Sequence, residues 1–273
     1  MLGGYRLKDF FLITKILFKK KIKIYFFLEK PKNNYYIGLV LKKIYLYFLL
    51  KLFNVRGIFA VGKDAKKYYE SLCKNVFNLP YSINGQKYKQ VQLPKKLKKI
   101  KFVFIGQLIK RKNINLLLNA FKILNQTGYE NKLKLTIIGK GAEIDHVKQL
   151  SKKYSNLEHF GFLNQVKLRK ILHKQHVLIL PSRIEGWGVV INQAMAFGLT
   201  LIINKKMEIY KDFFRDNING VSINNSVKSL SEKMIYLINN NNKIREMGNN
   251  NYKYFFNSKL EVKNSVKYFI SKI

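Results

Sequence analysis

The sequence predicts an α/β protein made of two doubly wound, parallel-sheet units in tandem, the first of them incomplete. Three observations carry this. Short apolar, β-rich runs alternate with segments of helical periodicity, the pattern of parallel strands joined by right-handed crossovers. A lysine-rich stretch punctuated by Pro94 interrupts the alternation and divides the series in two. The chain has 273 residues, 47% of them hydrophobic, ample for a core and too apolar for wholesale disorder.

In the first unit, residues 1–85, the pattern predicts strands at 22–28, 57–61 and 76–79, and helices at 39–53 and 64–72. Residues 86–100 read as a linker, because a segment so rich in lysine is expected to make few apolar contacts. In the second unit, residues 101–255, strands are expected at 102–105, 133–138, 157–160, 177–180 and 199–203. Helices are expected at 114–124, 144–154, 166–173, 189–197 and 227–239, with a turn at Asn219-Gly220. Residues 256–273 read as a C-terminal helix that packs back on the first unit.

Charge narrows the partners. The net charge is +37, part of it a Lys/Asn/Ile-rich bias of composition, and it implies affinity for anions. Residues 1–100 carry 23 Lys and Arg against 4 Asp and Glu, while residues 101–273 carry 29 against 11, so the first part is the denser in positive charge. That density suits an anionic membrane surface. Nucleic acid is not an expected partner, since no recognisable nucleic-acid module accompanies the charge. One cysteine, Cys73, excludes an internal disulfide and fits a reducing compartment. The four histidines are scattered, and no cluster has metal-ligand spacing, so no metal is expected.

No charged n-region followed by an apolar stretch and cleavage site opens the sequence. The longest uninterrupted apolar run, 44–50, is far short of the roughly 20 residues a membrane span needs. Residues 37–53 read as a buried helix, with a helix lying on a membrane surface as the alternative. The expected location is cytoplasmic, with peripheral contact on the inner face of the membrane.

The most informative segment is Pro181-Ser182-Arg183-Ile184-Glu185-Gly186-Trp187-Gly188. An apolar strand runs into it, and a helical pattern begins at Val189. Glu185 therefore lies at the C-terminal edge of a sheet and the mouth of a helix, where open α/β sheets bind ligands. Free N–H groups there favour anionic atoms, and glycines let a ligand approach the backbone. Taken alone, the segment also reads as a tight structural turn with a solvated Glu.

In series with other segments it resembles the glycosyltransferases of family 4 (group 1 glycosyl transferases), which have the GT-B fold of two Rossmann-like domains. The resemblance runs over about residues 57–255. It rests on Val61-Gly62-Lys63-Asp64-Ala65, Asn78-Leu79-Pro80-Tyr81, Phe104-Ile105-Gly106-Gln107-Leu108 through Lys112, Ile138-Gly139-Lys140-Gly141, Gly161-Phe162-Leu163 and the Glu185 segment, in that order. The resemblance implies a retaining enzyme that takes sugar from a nucleoside-diphosphate-sugar held between the domains. The acceptor would be a polysaccharide, lipid-linked or lipopolysaccharide-type glycan.

The resemblance also implies roles. Glu185 would contact donor-sugar hydroxyls and Lys112 the diphosphate, as the catalytic pair. Gly106, Gln107, Gly161, Phe162, Leu163, Gly186, Trp187, Gly188, Val189 and Gln193 would complete the donor site, the 161–163 backbone beside the base. Trp187 packs either near the donor sugar or within its own turn. Arg111 and Lys110 read as solvated surface charge. No metal or cofactor is implied. Two positions depart from the family: Gln193 stands where a second glutamate bonds the ribose, and Gln107 where an arginine meets the diphosphate. An amide still donates and accepts, without charge-assisted strength.

The first unit is short for such a protein, and Gly3-Gly4-Tyr5 looks like the middle of its domain. Either the product is truncated or the true start lies upstream. A nucleotide-binding remnant without catalysis is the competing reading. Glu29, after a strand, reads as a surface residue.

Overall fold

A computed structural model of the chain describes residues 2–3, 7–31, 36–94 and 96–273. It divides into two compact units, one running to Tyr81 and taking in Ser265–Ile273, the other Ser82–Asn264. Gly4 and Tyr5 lie outside the described residues.

The first unit holds β1 (Leu2–Gly3), α1 (Leu7–Lys19), β2 (Tyr25–Leu28), α2 (Tyr36–Leu52), β3 (Gly57–Ala60), α3 (Lys63–Glu70) and β4 (Val76–Asn78). Its strands pair in the order β1-β2-β3-β4, all parallel, with Tyr25 opposite Gly57 and Ile58 opposite Val76. Alternation along β2 and β3 sends Phe26, Leu28, Ile58 and Ala60 into one core with Phe10 of α1, Leu46 and Leu49 of α2 and Tyr69 of α3. On the opposite face Phe59 meets Phe77 with ring centroids 5.3 Å apart.

The second unit continues with β5 (Ile100–Ile105), α4 (Ile114–Gln126), β6 (Leu133–Ile138), α5 (Ile144–Lys153), β7 (Leu157–Phe160), α6 (Gln165–Leu172) and β8 (Val177–Leu180). Then come α7 (Val189–Ala196), β9 (Thr200–Asn204), α8 (Glu208–Asp212), β10 (Gly220–Ile223), α9 (Val227–Asn239) and α10 (Asn241–Asn257). The last helix, α11 (Val262–Ile270), ends in the first unit, where the Phe269 ring sits 4.8 Å from that of Phe59.

Local chemistry explains these elements. In α4 the buried Ile114, Leu117, Leu118, Phe121 and Leu124 follow helical spacing on one face. Asn164 and Ser226 cap α6 and α9 by accepting from the backbone N–H of Lys167 and Ser229. The strands β8 and β9 are buried at every position, as expected of parallel strands covered on both faces.

Five elements escaped the periodic pattern, namely β1, α1, α8, β10 and α10. Among them α10 is rich in Asn, which disfavours helix interiors, so its helix depends on packing. Its Gly248 approaches so closely that a Cβ there would lie 2.2 Å from the Gly198 carbonyl oxygen. Its Asn251, fully buried, donates to the carbonyls of Leu199 and Asn219 at 2.8 and 2.7 Å. Others include α1, which buries Phe10 but exposes Phe11, Leu12, Ile13 and Ile16, and β10, which begins straight after the turn at Asn219.

The lysine-rich stretch 86–100 also differs from expectation. It is irregular, but it is not short of contacts. Tyr88 is buried with its ring 4.9 Å from that of Phe197, and Val91 N–H donates to the Phe197 carbonyl at 2.9 Å. Gln90 donates to Asn249 at 2.6 Å, and Leu97 N–H to the Asn241 side chain at 2.8 Å. Its apolar and amide groups dock on the second unit while Lys87, Lys89, Lys96 and Lys98 remain exposed.

His176, at the foot of β8, gives this unit a pH dependence. Burial, then the nearby Lys101 charge, lowers its pKa from 6.5 to about 4. Its Nδ1 accepts from Lys101 N–H at 3.2 Å, which the neutral ring alone can do. As pH falls, the unfolded chain therefore takes up the proton first. Stability tied to neutral His176 is full above about pH 6.5 and is lost toward pH 4, up to about 3 kcal/mol. Denaturant titrations of wild type and His176→Gln at neutral and acid pH check this. The variant is expected to lose about 2–3 kcal/mol less on acidification.

Candidate functional site

The second sheet runs in the order β10-β9-β8-β5-β6-β7, all parallel. The chain leaves β5 toward β6 and β7, then returns to β8 on the other side of β5. That reversal makes the β5–β8 boundary a topological switch point, whose C-terminal side is the binding side of such sheets. The pairing there covers Phe102↔Val177 and Val103↔Leu178, while the strands run on to Ile105 and Leu180. The loops after β5 and β8 meet at this opening.

Lys112 comes from the first loop and Glu185 from the second. Their side chains form an ion pair, with only 14% and 10% of their surfaces exposed. Ser182 Oγ donates to the same carboxylate oxygen at 3.3 Å, and Arg111 lies 3.6 Å from the other oxygen. Arg111 also donates to the Ile184 carbonyl at 3.0 Å, and Arg183 N–H to the Arg111 carbonyl at 3.0 Å. Arg111 is thus a tie between the loops, while its side chain remains 40% exposed. Asn113, in the left-handed conformation at φ 58°, turns the chain into α4 and donates to Asn225 at 2.6 Å.

Beyond Glu185, Gly188 at φ 67° begins α7. Its carbonyl accepts from the Ile191 N–H at 2.8 Å, but it offers no side-chain cap, and N–H groups at a helix start without one favour an anionic atom. Trp187 does not line the opening. Its indole is buried and donates to Asn192 at 3.1 Å, so of its two readings the structure has packing within the turn.

Beside the switch point a cavity of about 690 Å3 opens over the ends of β5, β6 and β7. Its lining includes Gly106, Gln107, Gly161, Phe162 and Leu163. Phe162 is 83% exposed at its mouth. Two backbones pack at van der Waals limits to shape it: a Cβ on Gly139 would lie 1.9 Å from the Gly106 oxygen, and one on Gly141 2.4 Å from the Leu108 oxygen. Leu108 N–H donates to the Lys140 carbonyl at 2.9 Å and closes the same junction. Gln193, buried in α7, donates through Nε2 to Gln165 Oε1 at 2.9 Å, and Gln165 lines the cavity.

The expected site residues thus fall into two neighbouring groups. Gly106, Gln107 and 161–163 line the cavity, while Lys112, Glu185, Gly186, Gly188 and Val189 gather at the switch point. Gln193 bonds to the cavity wall. Sequence reasoning missed Lys140, Asn164, Gln165 and Ser182. The signal for Lys140 was present, in a glycine on either side of it directly after a strand. Among the described residues, no three His, Cys, Asp or Glu side chains are grouped to hold a metal ion.

A switch-point crevice with a cation–carboxylate pair, an uncapped helix start and an adjoining cavity defines a doubly wound protein suited to a ligand with an anionic group. A family model described as Glycosyl transferases group 1 matches residues 86–254, and the chain belongs to that family. It is similar to the Campylobacter jejuni protein named GalNAc-alpha-(1->4)-GalNAc-alpha-(1->3)-diNAcBac-PP-undecaprenol alpha-1,4-N-acetyl-D-galactosaminyltransferase. The two are 29% identical over 199 residues, 70% of this chain and 52% of that protein. A 41.2 kDa protein of the cps region of Klebsiella pneumoniae is 27% identical over 203 residues, 67% of this chain and 52% of that one. The chain spans about half the length of these curated relatives. Among solved structures, Anabaena Alr3699/HepE in complex with UDP superposes with a TM-score of 0.79 at 13% identity, covering 99% of this chain and 78% of that one. The fold is GT-B.

Proposed function

We propose that this chain transfers a sugar from a nucleoside-diphosphate-sugar to a cell-envelope polysaccharide, lipid-linked or lipopolysaccharide-type acceptor, with retention at the anomeric carbon. The observation that carries the reading is the Lys112–Glu185 pair at the switch point, one loop away from the cavity. Each ion neutralises the other. A donor would part them: its diphosphate takes Lys112 and the start of α7, and its sugar hydroxyls take Glu185.

As the sugar–phosphate bond breaks, charge grows on the departing diphosphate. Lys112 stabilises that charge, fixed in place beforehand by its loop. Lys112 and the α7 N–H groups supply the positive charge needed, and the reading involves no metal or cofactor. The cavity walls at Gly106, Gln107 and 161–163 would hold the nucleoside, with Gln193 toward the ribose. UDP in the Anabaena complex supports a nucleotide ligand, and the printed names of the Campylobacter relative and of a poly(ribitol-phosphate) alpha-N-acetylglucosaminyltransferase of Staphylococcus aureus support the acceptor class. The acceptor would be met at the inner, anionic face of the cytoplasmic membrane.

Binding without turnover is a second reading, favoured by the two uncharged positions Gln107 and Gln193. Calorimetry with UDP, GDP and ADP, run beside a donor-hydrolysis assay, separates the two. One nucleotide is expected to bind and, at about 100 times its Kd, to stabilise the fold by about 2.7 kcal/mol. Binding with no hydrolysis or transfer favours the second reading, and no nucleotide binding at all sinks both.

A further inference from the structure

The charged residues of α2 are Lys42, Lys43 and Lys51, and the rest of its described outer side is largely apolar. Residues 37–53 were expected to be buried, and half of the helix is: Leu46, Leu49 and Leu50 face the sheet. The other half presents Leu41, Ile44, Phe48 and Leu52 to solvent, with Phe48 and Leu41 more than 60% exposed. Beside it α1 exposes Leu12 and Ile16. Phe11 and Phe18 of α1 set their rings edge-on to Phe53 at 5.4 and 5.7 Å, which joins the C-terminal ends of the two helices. Helices facing only water carry charge on that side, and contiguous exposed apolar groups mark a contact surface.

What covers this face is indicated by its border. At the joined helix ends lies a cavity of about 450 Å3, where Phe18, Ile22 and Phe53 meet Lys19, Lys21, Lys23 and Arg56. Among the described residues, no acidic side chain lines it. Helix C-termini carry partial negative charge, which favours cations there. Apolar side chains bordered at one end by a cluster of cations match the two layers of an anionic bilayer surface. A second copy of the chain would bring the same lysines together and be repelled. No helix among the described residues is long and apolar enough to cross a membrane, so contact would be made from the side.

We propose that the outer face of α1 and α2 rests on an anionic phospholipid surface. Leu41, Ile44, Phe48 and Leu52 enter the boundary between headgroups and acyl chains. The cavity formed by Lys19, Lys21, Lys23 and Arg56 takes lipid phosphate. This deepens the peripheral placement given above and rests on it, but on residues separate from the donor site.

The test is co-sedimentation of the full chain with vesicles of phosphatidylglycerol mixed into phosphatidylcholine, and with phosphatidylcholine alone. Binding is expected to the anionic vesicles only, and to weaken with salt. Each cation near such a surface is worth about fivefold in affinity, so Lys19→Glu with Lys23→Glu should weaken binding at least about tenfold. Leu41→Ser with Phe48→Ser should weaken it similarly while leaving the lysines in place. Equal binding to neutral vesicles, unchanged binding by either double variant, or a dimer that shields Phe48 overturns the proposal. Nucleotide calorimetry on the same proteins tells the two readings apart. Nucleotide bound without vesicle binding removes only the lipid surface, and vesicle binding without nucleotide removes only the donor site.

Discussion

Lys112→Ala is expected to lower sugar transfer at least about 100-fold, the scale for losing one fixed charge-stabilising group. The ion pair complicates the experiment in a useful way. Removing Lys112 leaves the Glu185 carboxylate largely buried, with Arg111 at 3.6 Å and Ser182 at 3.3 Å as its remaining partners. Because these two partly compensate, the expected stability loss is about 1–2 kcal/mol, below that of a fully orphaned ion. Replacing both residues, Lys112→Ala with Glu185→Ala, removes the orphan. That double variant should regain most of the stability and none of the activity. Denaturant melts and transfer assays on the two single variants and the double variant give the answer. If activity follows stability through the series, the pair only holds the loops together. Lys112→Arg keeps the charge but alters its shape, and partial activity is expected.

Gly139→Ala is expected to be among the most damaging single methyl groups in the second unit. Its Cβ would lie 1.9 Å from the Gly106 oxygen, against backbone that is itself fixed by the Gly106 N–H to Ile138 carbonyl bond at 3.0 Å. Such overpacking with no flexible side chain to give way should cost about 3 kcal/mol or more. Gly128→Ala is the control. Gly128 has φ 82° with nothing within 4 Å of a new Cβ, so only backbone strain of about 1–2 kcal/mol is expected. The damage at Gly139 should also reach the ligand, because the junction it shares with Gly106 shapes the cavity wall. Nucleotide affinity, measured where the variant is still folded, should fall for Gly139→Ala and hold for Gly128→Ala. Equal stability losses at the two positions would mean that the β5 and β6 loops can part without cost.

Glu185 was legible in the sequence because it follows a recognisable apolar strand and precedes a helical pattern. Strand ends in a doubly wound sheet converge on one edge, so its position along the chain placed it there. Lys112, Gly106 and Gly161 were singled out by the resemblance of their segments to those of the family. Arg111 and Trp187 were not, since their roles depend on which neighbour the side chain finds. The structure gives Arg111 the Ile184 carbonyl and Trp187 the side chain of Asn192. Gln165 was invisible until Gln193, 28 residues away, reached it across two helices.

By itself, then, the sequence determined the α/β class and most of the alternating strand and helix order. Both follow from local periodicity and chain punctuation. Only the tertiary structure decided that Lys112 and Glu185 are paired, that the Asn-rich α10 is a helix, and that α2 leaves half its apolar surface uncovered. The physical reason is common to the three. Each depends on what lies across space from a residue, and hydrophobicity along the chain records that a side chain is apolar or charged without recording its neighbour.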